Sequence, residues 1–231
     1  MKVLELFSGT ECMSDAFRKR GHECFTVDWD KKFPSSLHID IMELTVDMVL
    51  EQFGKPDITW AACDCSSFSV AAIGFHRKKN TATGVLEPKT EKARRADLVN
   101  RHTLNLIREL NPRFFFIENP VGALRKMDYM WGIPRYTVTW CRYGFKYRKA
   151  TDIWTNHPHP EFLPPCRNGD PCHEAAPRGS RMGVQGIGSS AERAMYPPAF
   201  CEHIVDICER YFFCKPKPTY FGRTVTQMEL F

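Results

Sequence analysis

Short apolar runs alternate with helical patterns along the first 140 residues, and this alternation constrains the fold more than any other feature. The runs predicted as strands are Val3–Phe7, Cys24–Val27, His38–Ile41, Ile58–Ala62, Phe114–Ile117 and Tyr136–Trp140. The segments predicted as helices between them are Cys12–Arg20, Val46–Phe53 and Ala96–Leu110. Such alternation predicts an α/β fold with a doubly wound, mostly parallel sheet, which binds ligands at the carboxyl ends of its strands.

The character of the chain changes after Trp154, which suggests a division into four segments. Residues 1–154 are predicted to form a catalytic domain, and residues 155–192, rich in Pro, Gly, His and Cys, a small loop-built subdomain. Residues 193–214 are predicted to return to the first domain as a helix, and residues 215–231 to form an extended tail. A length of 231 residues suits one sizeable α/β domain with a small appendage.

Composition excludes several classes of protein. No apolar run approaches the roughly 20 residues of a membrane span, and the start of the chain lacks the apolar core and cleavage site of a signal peptide. The ten cysteines lie mostly among apolar neighbours. Without a secretion signal they are interpreted as reduced thiols, so we expect a cytoplasmic protein. We also expect the protein to be a monomer.

Two predicted strands end in chemically reactive side chains. The segment Cys63–Ser69 follows an apolar run, and Glu118 follows the buried run Phe114–Ile117. A thiol and a carboxyl at the carboxyl ends of two parallel strands can face one crevice, which indicates an enzyme. Alternation along an extended segment would point Cys63 and Cys65 the same way, so spacing does not choose between these two thiols.

The first strand, turn and helix are typical of a nucleotide site. Gly9 permits a tight turn before a helix N-terminus, and Asp28 follows at the end of the second strand, where an acidic residue accepts hydrogen bonds from a ribose. Trp29 offers a flat face to an adenine, with core packing as the alternative. Asp40 is placed to accept from an exocyclic amine, with a helix N-cap as the alternative. The spacing therefore predicts a cofactor that contains adenosine.

Taken in order, five motifs resemble those of the DNA cytosine-5 methyltransferase family over about residues 3–154. They are Leu6–Gly9, Asp28–Asp30, Asp40–Ile41, Cys65–Ser69 and Glu118–Pro120. The resemblance implies a Rossmann-like S-adenosylmethionine-dependent methyltransferase that acts on a cytosine flipped out of double-stranded DNA. It implies that the cofactor is bound by Phe7, Gly9, Thr10, Asp28, Trp29, Asp40 and Ile41.

The resemblance also assigns catalytic roles. Cys65 stands at the nucleophile position, Glu118 would hold the edge of the base, and Asn119 would orient the cysteine loop. Arg148 is our choice for the arginine that contacts the flipped base, with Lys149 as the alternative. The sequence departs from the family where Glu11 and Cys12 replace a second glycine pair and where Cys63 and Asp64 replace the usual prolines.

A basic stretch follows the cysteine motif. Residues 76–95 contain seven basic and two acidic residues, and this difference, 7 − 2 = +5, equals the net charge of the whole chain. The stretch is interpreted either as a solvated loop or as a loop that contacts phosphates and closes over DNA. The residues predicted to contact DNA are Ser69, Arg77, Lys78, Lys79 and Lys149.

The segment 155–192 stands where the family carries its target-recognition domain, and its small size predicts a recognition sequence of roughly two to four bases. The segment Gly183–Gly186 is a candidate reading loop. Cys166, Cys172 and His173, with His157 and His159 before them, suggest a structural zinc site in a region that lacks a core. The alternatives are loose thiols or a local disulfide.

Two C-terminal segments carry further predictions. Arg193–Phe200 resembles the last motif of the family, and Gln227–Phe231 resembles the peptide by which bacterial replication proteins bind the sliding clamp. These features favour a cytosine-5 methyltransferase in a bacterial or phage-infected cytoplasm. A cytosine methyltransferase acting on RNA or a free nucleotide, a catalytically inactive DNA-binding relative and a modified sulfonium donor stay open.

Overall fold

The computed structural model describes residues 1–167, 169–175, 192 and 195–214. The segment Gly183–Gly186, residues 193 and 194 of the last family motif, and the segment Gln227–Phe231 lie outside the described residues. No helix in the described part of the chain is long and apolar enough to cross a membrane.

A seven-stranded sheet organises the chain. Its strands are β1 (Lys2–Leu6), β2 (Glu23–Asp28), β3 (Leu37–His38), β4 (Ile58–Ala61), β7 (Phe114–Pro120), β8 (Arg135–Thr139) and β9 (Ala150–Thr155). Their order across the sheet is β3-β2-β1-β4-β7-β9-β8, and the first five strands are parallel. β9 is antiparallel to both of its neighbours. The predicted doubly wound, mostly parallel sheet is therefore confirmed.

In the described part of the chain, the remaining elements are five α-helices, four short 3-10 helices and a small hairpin. The helices are α1 (Cys12–Lys19), α2 (Val46–Gln52), α3 (Ile73–His76), α4 (Glu91–Leu110) and α5 (Pro198–Cys214), and the hairpin consists of β5 (Arg77–Lys79) and β6 (Leu86–Pro88). The predicted strand His38–Ile41 is wrong in its second half, because Ile41 begins a 3-10 helix that Asp40 caps by accepting a hydrogen bond from Met42 N at 3.0 Å. The basic stretch begins at the last residue of α3 and contains the hairpin and the first turn of α4.

Both faces of the sheet are buried, which explains the continuous apolar runs. In β7, Phe114 and Phe116 belong to one core cluster with side chains of α1 and α5, whereas Phe115 and Ile117 belong to the other with side chains of α2 and α4. Because successive side chains point to opposite faces, one uninterrupted run fills both cores. The sheet thereby brings the carboxyl ends of β1, β4 and β7 side by side.

The sequence did not predict β9, which separates β7 from β8 in the sheet. It carries the fully buried Asp152, whose carboxylate accepts from Arg125 Nε at 2.8 Å and from Arg125 Nη2 at 2.6 Å. Thr137 Oγ1 in β8 donates to the same carboxylate at 2.7 Å. These partners satisfy a polar residue in the middle of the sheet, as a buried charge requires.

Candidate active site

The two thiols after β4 occupy different environments. Cys63 is buried in the core beside α4, and burial raises the pKa of its thiol to about 12. Cys65 is half-buried at the protein surface. The segment is not a straight strand here, because the carbonyl of Cys65 accepts hydrogen bonds from Phe68 N and Ser69 N, both at 3.0 Å. Cys65, in this turn, is thus partly exposed, whereas Cys63 lies in the core.

Asn119 and the residues after β7 fix the loop that carries Cys65. The Nδ2 atom of Asn119 donates to the carbonyl oxygen of Cys63 at 3.0 Å. Ala123 N donates to the carbonyl oxygen of Phe68 at 2.7 Å. A Cβ atom on Gly122 would lie only 2.3 Å from that same oxygen, so this close approach requires glycine. Asn119 therefore contacts the cysteine loop, and its role in orienting that loop stays a prediction.

The expectation that Arg77 contacts DNA is wrong, because this side chain is buried. It forms a bidentate ion pair with Asp97 of α4, at 2.9 Å and 3.1 Å. Its Nε donates to the carbonyl oxygen of Ser67 at 3.2 Å, and its guanidinium lies over the ring of Phe68, 4.1 Å from the centroid. Arg77 therefore fastens the cysteine loop to α4 and has no surface to offer to a phosphate.

Glu118 lies in β7 beside the cysteine loop and is 5% exposed. Its Oε1 atom has no hydrogen-bond partner among the residues that the structure describes. Burial raises the pKa of Glu118, the charge of Lys149 lowers it, and Asp152 raises it again. A buried carboxyl with an unsatisfied oxygen is costly unless a ligand pairs with it, so Glu118 is a candidate for substrate recognition.

Lys149 rather than Arg148 is the basic residue that acts electrostatically on the site. The positive charge of Lys149 lowers the pKa of both Cys65 and Glu118. Arg148 instead donates from Nε to the carbonyl oxygen of Cys166 at 3.2 Å. The structure therefore favours Lys149, the alternative in the sequence interpretation, as the cation beside the reactive pair.

A cavity of about 490 Å³ opens beside the carboxyl ends of β1 and β2. Of the predicted cofactor residues, it is lined by Phe7, Asp28, Trp29, Asp40 and Ile41 but not by Gly9 or Thr10. Trp29 is 71% exposed at this cavity, so its alternative role in core packing is wrong. Asp40 both caps its 3-10 helix and forms an ion pair with Arg95 at the cavity.

The carboxylate of Asp28 is used to shape the first turn. One oxygen accepts from Gly9 N and the other from Asp30 N, both at 2.8 Å. Gly9 has a φ of +48°, in the left-handed region that favours glycine. Gly9 thus does not line the cavity, but its backbone N–H helps to hold Asp28, which does.

The remaining predicted DNA contacts lie near the cysteine loop at different depths. Ser69 is half-buried and bridges to Gly122, whereas Lys78 and Lys79 are exposed on β5. Lys78 forms an ion pair with Glu87 across the hairpin, at 3.4 Å. These three residues stay predictions for contact with a nucleic acid.

The predicted metal ligands do lie together, and a fourth joins them. Cys166, Cys172, His173 and Cys141 have potential ligand atoms that all lie within 4.8 Å of one another. His157 lies elsewhere: its ring is buried against Phe114, with 4.5 Å between the ring centroids, and its Nε2 lies 3.3 Å from the carbonyl oxygen of Ile207.

One curated relative decides the family. The chain is 30% identical, over 231 residues, to a protein of Frog virus 3 (isolate Goorha) named "Probable DNA (cytosine-5)-methyltransferase". The alignment covers 90% of this chain and 100% of that protein. The chain belongs to the DNA (cytosine-5)-methyltransferase family. This confirms the resemblance inferred from the five motifs, although no protein-family model matches the sequence.

Solved structures of methyltransferases are also similar to this chain. One is described as a "putative DNA modification methyltransferase encoded within prophage" of E. coli, with 18% identity, a TM-score of 0.48 and coverage of 67% of this chain and 46% of that one. Another is the Dnmt2 methyltransferase of S. pombe, with 14% identity, a TM-score of 0.45 and coverage of 67% and 48%. The chain therefore spans about half the length of these structures.

The departure from the family's first motif has a structural explanation. Glu11, at the place of a family glycine, retains the left-handed backbone with a φ of +56°. Its carboxylate is nearly buried, accepts from Thr26 Oγ1 at 2.5 Å and forms an ion pair with Arg18 at 2.8 Å. These contacts offset the strain of a side chain in that conformation, so a methyltransferase of this family can form the turn without the second glycine.

Several cavity and site residues were missed in the sequence. The additional residues that line the cavity are Val27, Ile39, Asp64, Lys92, Arg95, Ala96, Val99 and Asn100. Five of them belong to α4, and the helical pattern of α4 carries no motif that distinguishes the residues facing a ligand from those facing the core. The charge of Lys92 and Arg95 in the basic stretch was the one available signal.

Proposed function

We propose that this chain transfers the methyl group of S-adenosylmethionine to carbon 5 of a flipped-out cytosine in double-stranded DNA, through a covalent adduct with Cys65. Family membership supports the reaction class. The observation that carries the residue assignment is the placement of a half-buried thiol, Cys65, in the loop after β4, with the buried, unsatisfied carboxyl of Glu118 on the neighbouring strand β7.

The proposed reaction begins at carbon 6 of the base. Carbon 5 of cytosine is a weak nucleophile, and addition of the Cys65 thiolate to carbon 6 gives an enamine whose carbon 5 attacks the methyl group. Glu118 hydrogen-bonds the exocyclic amine and supplies a proton to ring N3 as the thiolate adds. Carbon 5 then gives up its proton to water, the N3 proton returns to Glu118, and the bond between carbon 6 and the Cys65 sulfur breaks, which releases the thiolate and restores the aromatic ring.

The pKa of Cys65 depends on the charge of Glu118 and therefore on whether Glu118 holds its proton. Burial raises the pKa of Cys65, the charge of Glu118 raises it further, and Lys149 lowers it. The negative charge that Glu118 acquires when its proton passes to N3 would disfavour the Cys65 thiolate, and the charge of Lys149 opposes this effect. We infer that Lys149 helps to keep Cys65 in its reactive thiolate form during this proton transfer.

The cavity has the features that a nucleoside cofactor requires. The face of Trp29 suits an adenine, and the acidic residues Asp28 and Asp40 suit a ribose and an exocyclic amine. The hydroxyl of Ser8, at the first turn, is buried with no hydrogen-bond partner in the described part of the chain. S-adenosylmethionine bound there would supply an electrophilic methyl group; these residues would bind and orient it.

DNA is expected to approach over the cysteine loop. Exposed Lys78 and Lys79, half-buried Ser69 and Lys149 surround this approach, and phosphate contacts from lysines dominate such affinity. A base in a duplex must leave the stack to reach a thiol beside a buried carboxyl. We infer that residues 155–192 read a short sequence. Binding of a sliding clamp by Gln227–Phe231 stays a prediction.

Trapping with 5-fluorocytosine tests the proposal. Its fluorine replaces the proton that must leave carbon 5, so the adduct persists after methyl transfer. Duplex DNA containing this base, incubated with the protein and S-adenosylmethionine, is expected to yield a covalent complex whose peptide carries Cys65. The same base in RNA is the comparison that separates the two substrates.

Matched variants decide the assignment. Cys65→Ser is expected to abolish the adduct, whereas Cys24→Ser, a half-buried thiol on β2, is expected to retain it. An adduct on the Cys63 peptide would show that Cys63 is the nucleophile. An adduct formed with RNA alone would show that RNA, and not DNA, is the substrate. Absence of any adduct across DNA of varied sequence would refute the mechanism.

A further inference from the structure

We propose that Cys141, Cys166, Cys172 and His173 bind a structural Zn²⁺ that fastens the segment after β9 to the loop carrying Lys149. The ligand set joins two parts of the chain, because Cys141 lies in the 3-10 helix Trp140–Tyr143 and the other three lie 25 to 32 residues later. Sequence spacing suggested only those three.

The distances among the four side chains fit a tetrahedral ion. With Zn–S bonds of about 2.3 Å, neighbouring sulfurs of a tetrahedron lie about 3.8 Å apart. The Cys172 and Cys141 sulfurs are 3.7 Å apart, and His173 Nδ1 is 3.7 Å from the sulfurs of both Cys166 and Cys172. The sulfurs of Cys141 and Cys166, at 3.1 Å, need to separate by only about 0.7 Å.

The chemistry of the donors selects zinc. Three thiolates and one imidazole form a closed set typical of structural zinc, with no position left for a substrate. Cys141 and Cys166 are buried, and Cys172 and His173 are half-buried. Backbone contacts already orient the ligands, because Cys166 N donates to Thr139 Oγ1 at 3.0 Å.

A disulfide between Cys141 and Cys166 is the competing interpretation. It would require the two sulfurs to approach to about 2.05 Å, which is about 1 Å closer than they lie. It would also leave Cys172 and His173 beside two oxidised sulfurs that can no longer act as metal ligands. Only a metal uses all four side chains.

The site is positioned to act on the catalytic centre. The loop from Trp140 to Lys149 is closed by a bond from Trp140 N to the Lys149 carbonyl at 3.2 Å. The later segment contacts this loop through Arg148 Nε to the Cys166 carbonyl at 3.2 Å and through Glu174 N to the Lys146 carbonyl at 2.8 Å. A metal between the two would hold Lys149 in place against Cys65 and Glu118.

This arrangement predicts that loss of the metal leaves cofactor binding intact but weakens the effect of Lys149 on Cys65. None of the described residues that line the cofactor cavity lies beyond position 100, so its capacity to bind the cofactor should survive. The electrostatic support of Cys65 by Lys149, by contrast, should fail. The second effect rests on the proposed function, whereas the presence of the metal does not.

The first measurement is the metal content of the full chain, purified without chelator and analysed by mass spectrometry of elements. Wild type and Cys24→Ser are expected to carry stoichiometric zinc, and Cys141→Ser to lose it. Cys172→Ser is the second variant, since this ligand lies outside every helix and strand and its change leaves the sheet intact. Cobalt substitution should give the visible absorption of a tetrahedral thiolate site.

The remaining outcomes are decisive in either direction. Absence of stoichiometric metal, retention of zinc by both ligand variants, or a Cys141–Cys166 disulfide in peptides mapped without reductant would overturn the metal site. In Cys172→Ser, retained binding of S-adenosylmethionine with an adduct yield lowered about tenfold would support the link to Lys149. Zinc loss with an unchanged adduct yield would overturn that link alone.

Discussion

Glu118 raises the pKa of the Cys65 thiol, because its carboxylate at the end of β7 disfavours a second negative charge beyond the end of β4. Lys149 opposes this effect at both groups. The three residues come from separate parts of the chain, and the sheet order places them at one edge. Burial is the main reason that the pKa of the thiol is raised, and the opposing charges of Glu118 and Lys149 adjust it further.

Glu118→Gln is expected to shift Cys65 alkylation to lower pH. The change removes a negative charge that raises the pKa of the thiol, so the thiolate forms at a lower pH than in the wild type. Iodoacetamide labelling followed by quantification of the Cys65 peptide measures the profile. Methyl transfer should nevertheless fall by about 10²- to 10⁴-fold, because N3 loses its proton donor.

Glu109→Gln is the matched control, since this glutamate is exposed on α4. It should leave both the labelling profile and the rate unchanged. An alkylation profile that stays in place in Glu118→Gln would contradict the coupling.

Lys149→Met is expected to shift the same profile in the opposite direction. Removing the positive charge raises the pKa of Cys65, so labelling should require a higher pH. Lys146→Met, an exposed change in the same loop, is the comparison. A shift of equal size in both variants would show that the effect is not specific to Lys149.

Gly122→Ala is expected to displace the cysteine loop. The new Cβ would lie 2.3 Å from the Phe68 carbonyl oxygen, so one backbone segment must move. Such overpacking costs about 1–3 kcal/mol of stability, and a displacement of about 1 Å at a nucleophile lowers the rate about 10²-fold. Thermal unfolding and single-turnover methylation measure the two effects.

Gly74→Ala provides the control for that change on the neighbouring helix α3. A Cβ at Gly74 meets nothing within 4 Å, so stability and rate should stay at wild-type values. If Gly122→Ala proved equally silent, the close approach of the two segments would not be what positions Cys65.

Arg77→Lys is expected to loosen the cysteine loop while keeping the charge. A lysine cannot reproduce the bidentate pair with Asp97 together with the bond to the Ser67 carbonyl. We expect a loss of about 2 kcal/mol in the free energy of unfolding, with slower adduct formation. Arg94→Lys, at an exposed ion pair, should change stability by less than about 0.5 kcal/mol. Unchanged DNA affinity in Arg77→Lys would agree with its burial.

The strands with two buried faces were predictable, because most of the buried residues of β1, β4 and β7 are apolar. β9 was not, because Asp152 is satisfied by Arg125 and Thr137 on other elements. The periodicity of a sequence indicates which apolar residues are buried. It does not indicate that a polar residue such as Asp152 is buried because it has partners elsewhere in the chain.

The same limit explains the site. Cys65, Glu118 and Asn119 follow predicted strands, so their motifs could be placed at the sheet edge. Arg77 looked like its basic neighbours, because its burial depends on Asp97, twenty residues later. Cys141 carried no signal of its own, since its partners lie in a segment without regular structure. Contacts between such segments cannot be predicted from sequence patterns and become visible only in the folded structure.

Glu5→Gln is expected to stabilise the protein at neutral pH. Glu5 is buried in β1 and accepts from Ser14 N at 2.9 Å, and burial raises its pKa from 4.5 to about 7. Below pH 4.5 the group is protonated in both states and costs nothing. Between pH 4.5 and about 7 only the unfolded state releases the proton, so stability falls as the pH rises, by about 3 kcal/mol in total. Glutamine offers the same acceptor without a charge, so the stability difference between variant and wild type should grow across this window and level off above it. Urea unfolding at a series of pH values measures it, with the exposed Glu23→Gln on β2 as the matched change. A difference that stays constant with pH would show that Glu5 ionises normally in the folded protein.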